Sequence, residues 1–141
     1  MARGRTIDEI QIGDSASFAK TMTETDTYLF AGITGDLNPA HINQADSENN
    51  MFGGRIVHGM LCAGLLSAVL GMQLPGPGTI YVGQELAFKA AVKFGDTITA
   101  TVTATEKVKG RFVKLETVCT NQDGTVVIDG TATVMPPKAN E

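Results

Sequence analysis

Asp36 and His41 stand five residues apart in the run Gly35-Asp36-Leu37-Asn38-Pro39-Ala40-His41, and His41 is one of only two histidines in the chain. A carboxylate and an imidazole are the side chains best suited to moving protons near neutral pH. Held on one bend, they can converge on a single small molecule or grip one water between them. The residues between them favour a bend. Gly35 can turn without a Cβ penalty. Pro39 lacks a backbone donor and pushes Asn38 away from helical geometry. The segment is therefore expected to be an irregular loop, with Asn38 tying it down through its amide.

Two helices should position this loop. Thr23, followed by Glu24 and Asp26, has the chemistry of a helix start, and Tyr28, Leu29, Phe30 and Ile33 supply an apolar face. That short helix delivers the chain to Gly35. The second helix is expected from Val57 to Leu70, where no residue is charged. A helix apolar all round must be enclosed, and this one would run roughly 20 Å. Gly59, Ala63 and Ser67 recur every four residues as a smooth stripe that another backbone can approach closely. Gly71 and the Pro75-Gly76-Pro77-Gly78 run then stop it.

The second half of the chain reads as strands. Ile98, Ala100, Val102 and Ala104 alternate with threonines between Thr97 and Thr105, a period of two with one buried face. Lys109-Gly110 and Asn121-Gln122-Asp123-Gly124 are turn signals, separating strands over Phe112–Thr120 and Thr125–Val134. Ile80, Val82, Leu86 and Phe88 share one face of an earlier strand that Gly95-Asp96 ends, and Phe18–Met22 adds an N-terminal one. Four strands in sequence would make an antiparallel meander. With one buried helix, the fold class is α+β, the sheet wrapped around the helix.

The 141 residues suit one domain over 1–141, closed on a single core without disulfide or structural metal. A formal charge of −4 argues against a nucleic-acid binder. Lys107, Lys109, Arg111 and Lys114 cluster, but they straddle a turn and read as a solvated hairpin. Cys62 and Cys119 sit among apolar residues without metal-ligand spacing, so both read as core side chains. No apolar signal core and no bilayer-length apolar stretch is present, which points to a cytoplasmic protein away from membranes.

Adding water to a conjugated thioester needs a base, an acid and a donor for the developing enolate oxygen. Asp36 and His41 could supply the first two, and backbone N–H groups at the start of the apolar helix the third, where Gly59 would let a ligand approach the backbone closely. Each residue also has a plainer reading. Asp36 alone is a turn residue, His41 alone a loop histidine, and Ser67 a back-bonded helix serine. His58 reads as packing or capping. Tyr28, Met51, Phe52 and Met60 are candidate pocket residues, with core packing as the alternative.

Taken together, Gly35-Asp-Leu-Asn-Pro-Ala-His41 and Gly54-Arg-Ile-Val-His-Gly-Met60 resemble the (R)-specific enoyl-CoA hydratases of the MaoC-like group. The likeness continues through Tyr81-Val-Gly-Gln-Glu-Leu-Ala-Phe88 and Gly95-Asp-Thr97, covering most of the chain. It implies a hot-dog fold, a long helix wrapped by an antiparallel sheet. It also implies hydration of a trans-2-enoyl-CoA to an (R)-3-hydroxyacyl-CoA, reversibly. Asp36 and His41 match the catalytic pair, Gly59 the residue whose N–H binds the thioester carbonyl, and Ser67 a supporting serine near the site. No metal or redox cofactor is implied, CoA enters only as the substrate thioester, and a homodimer with sites near the shared interface is expected. Asn43 stands where the family often has aspartate, and Ala91 where relatives often have proline. A carrier-protein or branched acyl-CoA dehydratase shares this chemistry. A hot-dog thioesterase would attack the carbonyl carbon instead, and a non-catalytic acyl-CoA binder would need no Asp–His pair.

Overall fold

The computed structural model describes residues 2–140; Met1 and Glu141, the ends of the domain expected over 1–141, lie outside the described residues. Thr23 begins the first helix as the sequence predicts. Its hydroxyl accepts from Asp26 N–H while the Asp26 carboxylate accepts from Thr23 N–H, a capping box that starts α1, Glu24–Thr34. Lys20 also binds Asp26, and that bond holds the carboxyl below its ordinary range. Gly35 ends α1 in the left-handed region at φ 83°, so the turn there does need glycine. The expected apolar face is not the buried one. Thr27 and Ala31 face inward, whereas Tyr28, Leu29 and Ile33 are exposed. One helical turn separates the buried pair, and the small residues let α1 lie close to its support.

The expected irregular loop is also more regular than its residues suggest. Pro39–Ile42 forms a helical turn, α2, and Gln44–Ser47 forms another, α3. Proline suits the first position of a helix, where its missing N–H would have no partner anyway. Asn38 precedes it with an extended ψ, and its Oδ1 accepts Ala40 N–H at 3.0 Å. Asn38 thus ties the segment down as expected, by capping a helix. Asn43 does the same for α3, accepting from Asp46 N–H at 3.1 Å, a bond an aspartate would make equally well.

The long apolar helix, α4, spans Gly59–Met72 and runs through Gly71. Leu66, Val69 and Leu70 are almost fully buried in one core with Ile98, Ala100, Val102, Leu115 and Cys119. Five strands carry that core: β1 Ser15–Thr21, β2 Ile80–Phe88, β3 Thr97–Val108, β4 Phe112–Thr120 and β5 Val126–Met135. All pairings are antiparallel, in the order β1-β3-β4-β5-β2. This is the α+β hot-dog arrangement, with α4 packed on the sheet.

The four-strand meander expected from the sequence is corrected at β2. Strands β3, β4 and β5 follow one another through the two predicted turns, but β2 pairs with β5 at the far edge. Residues 89–96 are a crossing connection: Val92 O accepts Val57 N–H, and Gly95 N–H donates to Met22 O. Gly95-Asp96 is a turn at the end of that crossing, so it could not name the neighbour of β2.

The enclosure expected of α4 is incomplete within one chain. Met60, Gly64, Ser67, Ala68 and Met72 form an open stripe along it, beside exposed Ile80, Tyr81 and Val82 of β2. Cys62 and Cys119 are buried free thiols, as expected. Among the described residues no helix is long and apolar enough to cross a membrane.

Because α1 hands the chain to Asp36, its cap should matter. Thr23→Ala is expected to lower the unfolding free energy by about 1 kcal/mol in a urea titration. Its apparent stability should fall further with acid for both proteins, since Asp26 contributes only while ionised; a carboxyl lowered on folding loses its contribution as pH drops below 3.8.

Candidate active site

Residues 36, 41 and 58 meet where α2 faces the stretch of chain leading into α4. The joining bonds are backbone ones. Ile56 N–H donates to Ala40 O at 3.0 Å, and Val57 N–H donates to Val92 O at 2.8 Å. Ile56 O accepts from Nδ1 of His41 at 2.8 Å. A carbonyl cannot donate, so the His41 proton sits on Nδ1 and the lone pair on Nε2.

Asp36 is similarly divided. Its Oδ1 accepts Asn38 N–H at 3.3 Å, and Thr34 Oγ1 accepts Asp36 N–H at 3.2 Å. Oδ2 has no hydrogen bond among the described residues and lies 4.0 Å from Nε2 of His58. The Asp36 side chain is half exposed and His41 is partly buried, so solvent reaches the pair. One basic oxygen and one basic nitrogen are therefore free on adjacent side chains. That is the arrangement a shared water requires.

His58 is the member that sequence reasoning left out. The packing expected of it is present, since the ring is buried against His41 and Phe30; the capping is not, for at the N-cap of α4 its side chain makes no capping bond. Instead Nε2–H donates to Asp36 O at 3.0 Å, and the ring stacks on His41 with centroids 3.9 Å apart. The only signal in the sequence was that the second histidine lies directly before Gly59. Asp36, His41 and His58 each offer a ligand-type atom within 4.8 Å of the others, the one such group among the described residues. Hydrogen bonds already occupy His41 Nδ1 and His58 Nε2, and the other nitrogen of His58 is sealed from solvent. The donor set suits proton transfer better than a two-imidazole metal site.

The start of α4 supplies donors. Leu61 and Cys62 N–H groups bond to His58 O, while Gly59 and Met60 N–H groups make no hydrogen bond among the described residues. Unpaired amides at the positive end of a 14-residue helix suit a developing negative charge. The smallness of Gly59 is already used by packing. A Cβ there would lie 2.6 Å from the Phe88 ring, so Phe88, rather than open space, abuts it. Phe52, Ile56, Gly59, Phe88, Ala91 and Val92 line a cavity of about 270 Å³.

Ser67 lies eight residues beyond Gly59, about 12 Å along the helix. It is exposed, makes no hydrogen bond among the described residues, and is therefore not the back-bonded serine expected from its position. With Met60, Ala63, Tyr81, Gln84 and Phe88 it lines a larger groove, about 630 Å³, between α4 and β2. Of the four candidate pocket residues, Phe52 borders the smaller cavity and Met60 the groove, Tyr28 binds Arg55, and Met51 is 90% exposed. None is core.

Arg55 braces the entrance. Its guanidinium donates to Tyr28 Oη at 2.7 Å, Gln44 Oε1 at 3.1 Å and Glu24 Oε1 at 3.1 Å, joining α1 to α3. That bond to Arg55 holds the Glu24 carboxyl below its ordinary range. The two thiols offer no nucleophile: burial pushes Cys62 up to about 12 and Cys119 to about 11.

The fold and site define a hot-dog protein with an Asp–His pair at a helix start, and the chain belongs to the MaoC like domain family, which matches residues 9–126. It is 56% identical over 131 residues to an (R)-specific enoyl-CoA hydratase of Rhodospirillum rubrum, covering 92% of this chain and 90% of the relative. It is 40% identical to a 3-hydroxybutyryl-CoA dehydratase of Methylorubrum extorquens, covering 95% of this chain and 85% of that one. Among solved structures, an unliganded R-hydratase from Pseudomonas aeruginosa superposes with a TM-score of 0.90 at 39% identity, covering 96% of this chain and 87% of that one. The family expected from the two sequence motifs is thus borne out.

The tight Gly59–Phe88 contact makes a measurable claim. Gly59→Ala should lower the melting temperature, and the loss should shrink when Phe88 is first replaced by leucine, as thermal unfolding of the four proteins would show. Equal losses in both backgrounds would mean that Phe88 does not limit the size of residue 59.

Proposed function

We propose that this chain is an (R)-specific enoyl-CoA hydratase, working as one MaoC-like hot-dog domain. The observation that carries the reading is the convergence of two uncommitted basic atoms, Asp36 Oδ2 and His41 Nε2, beside unpaired amides at the start of α4. The names of the two relatives support it, since hydration and dehydration are two directions of one reaction.

A water donates its hydrogens to Asp36 Oδ2 and His41 Nε2, which aligns its lone pair with Cβ of a trans-2-enoyl thioester. As oxygen bonds to Cβ, the pair takes one proton and the Cα=Cβ electrons move onto the thioester oxygen. The Gly59 N–H and the helix dipole stabilise that enolate. The pair then returns a proton to Cα from the same face, giving an (R)-3-hydroxyacyl-CoA. Asp36 and His41 both contact the water, and either can be the atom that takes its proton. Water adds and nothing is oxidised, so the chemistry calls for no metal or redox cofactor. Ser67, with its free hydroxyl, supports the substrate from the α4–β2 groove.

The open stripe on α4 and the exposed edge strand β2 favour a homodimer in which a second copy covers the groove. An unpaired strand edge beside apolar side chains is unstable in water unless it is covered. The setting is the cytoplasm. A dehydratase acting on carrier-bound or branched acyl groups would use the same atoms.

Crotonyl-CoA separates the chemistries. Loss of the conjugated absorbance without thiol release is expected, with the (R) product on chiral analysis, whereas thiol release would mean a thioesterase. Asp36→Asn and His41→Gln should each lower turnover at least about 10²-fold in folded protein, and Ser67→Ala should cost less than either. Sedimentation should give twice the 14.8 kDa chain mass; a monomer would reject the dimer.

A further inference from the structure

We infer that His58 is a positioning residue that sets the spacing of Asp36 and His41, an inference that rests on the hydration reading. Nε2–H of His58 donates to the main-chain oxygen of Asp36 at 3.0 Å. The proton therefore sits on Nε2, which leaves the lone pair on Nδ1. Nδ1 is buried with no hydrogen-bond partner, in a side chain only 2% exposed.

A buried polar atom without a partner is destabilising, because it gives up its hydrogen bonds to water and gains none in return. A phenylalanine would fill the same space without that cost. What the imidazole adds is contact with both members of the pair. Its ring lies on His41 at 3.9 Å and 25°, and it leans on Phe30 at 4.7 Å and 57°. Its other face of chemistry, the Nε2–H, holds the peptide of Asp36.

The remaining bonds on that peptide are local. Asp36 N–H reaches Thr34, Asn38 N–H reaches the Asp36 carboxylate, and Leu37 N–H reaches Gly35 O. Local bonds shape the turn but do not place it against His41. His58, at the N-cap of α4, is the side chain that ties the turn to the helix whose amides face the thioester. With Ile56 O fixing the opposite edge of His41, the two histidines carry their protons on different nitrogens, Nδ1 in His41 and Nε2 in His58.

Two histidines make the test direct, because the imidazole ¹⁵N spectrum contains only two rings. In long-range ¹H–¹⁵N spectra of the full chain, His58 should appear with its proton on Nε2 and His41 on Nδ1. A His58 proton on Nδ1 would overturn the inference whatever the protein catalyses.

Kinetics with crotonyl-CoA test the consequence. His58→Phe keeps the ring but removes the donor, and kcat should fall about 10- to 100-fold at nearly constant KM, as expected for small misplacement of reacting groups. His58→Gln puts an amide N–H near the lost Nε2 and should recover turnover to within about fivefold of the parent. Parent-like turnover in His58→Phe would overturn the inference, as would His58→Gln as slow as His58→Phe. Should His58→Phe fail to fold, folded His58→Gln decides: near-parent turnover supports the role, and a loss beyond about tenfold rejects it. Failure of the parent to hydrate crotonyl-CoA would count against the hydration reading, and the ¹⁵N spectrum would still judge the His58 bond.

Discussion

The backbone of Ile56 is committed at both of its polar groups to the turn opposite, its N–H to Ala40 O and its carbonyl to the His41 ring. The seat of His41 depends on that double tie. It fixes the edge of the imidazole, decides which nitrogen carries the lone pair, and brings α2 against the start of α4. Ile56 can hold this position because Val57 next to it is buried and bonded to Val92. A loop thereby acquires the rigidity of the core.

The start of α4 is where stability and function pull in different directions. Serine, threonine or aspartate at the N-cap would satisfy the first amides of the helix and stabilise it by about 1 kcal/mol. His58 stands there without capping, and the Gly59 and Met60 amides have no partner among the described residues. Such a vacancy is tolerable because α4 is held by its buried face: Leu66, Val69 and Leu70 pack into the core whether or not the first turn is capped. The uncapped amides lie at the positive end of the helix dipole, and the half-exposed Asp36 stays close by, its main-chain oxygen bonded to the edge of the His58 ring.

The edge of the sheet shows a second compromise. Gly130 on β5 lets β2 come so close that an added Cβ would overlap the Glu85 carbonyl, 1.8 Å away. Gln84 on β2 reaches across to Thr117 of β4, a polar side chain fully buried under the sheet, and is bound in turn by the Tyr81 hydroxyl. The groove between β2 and α4 is thus apolar at its walls and tethered by amide and hydroxyl groups at its floor. Its outer rim remains open in one chain.

The bend that carries Asp36 and His41, the Asn38 tie, the helix start at Thr23, the inward face of β3 and the two hairpin turns were legible along the chain, because each is a local relation between neighbours. Periods of two, turn dipeptides and capping pairs need only a few residues of sequence. The place of β2 was not legible, since residues 89–96 cross the sheet and no turn signal says where such a connection ends. Nor were the true inner face of α1 or the open stripe of α4, because composition tells how apolar a helix is and not which sides have neighbours. By itself the sequence determined a candidate acid–base pair, Asp36 and His41 on one bend, and an α+β chain with one long apolar helix. Only the tertiary structure decided that His58 joins Asp36 and His41, since that meeting depends on how α4 packs and on no spacing within the chain.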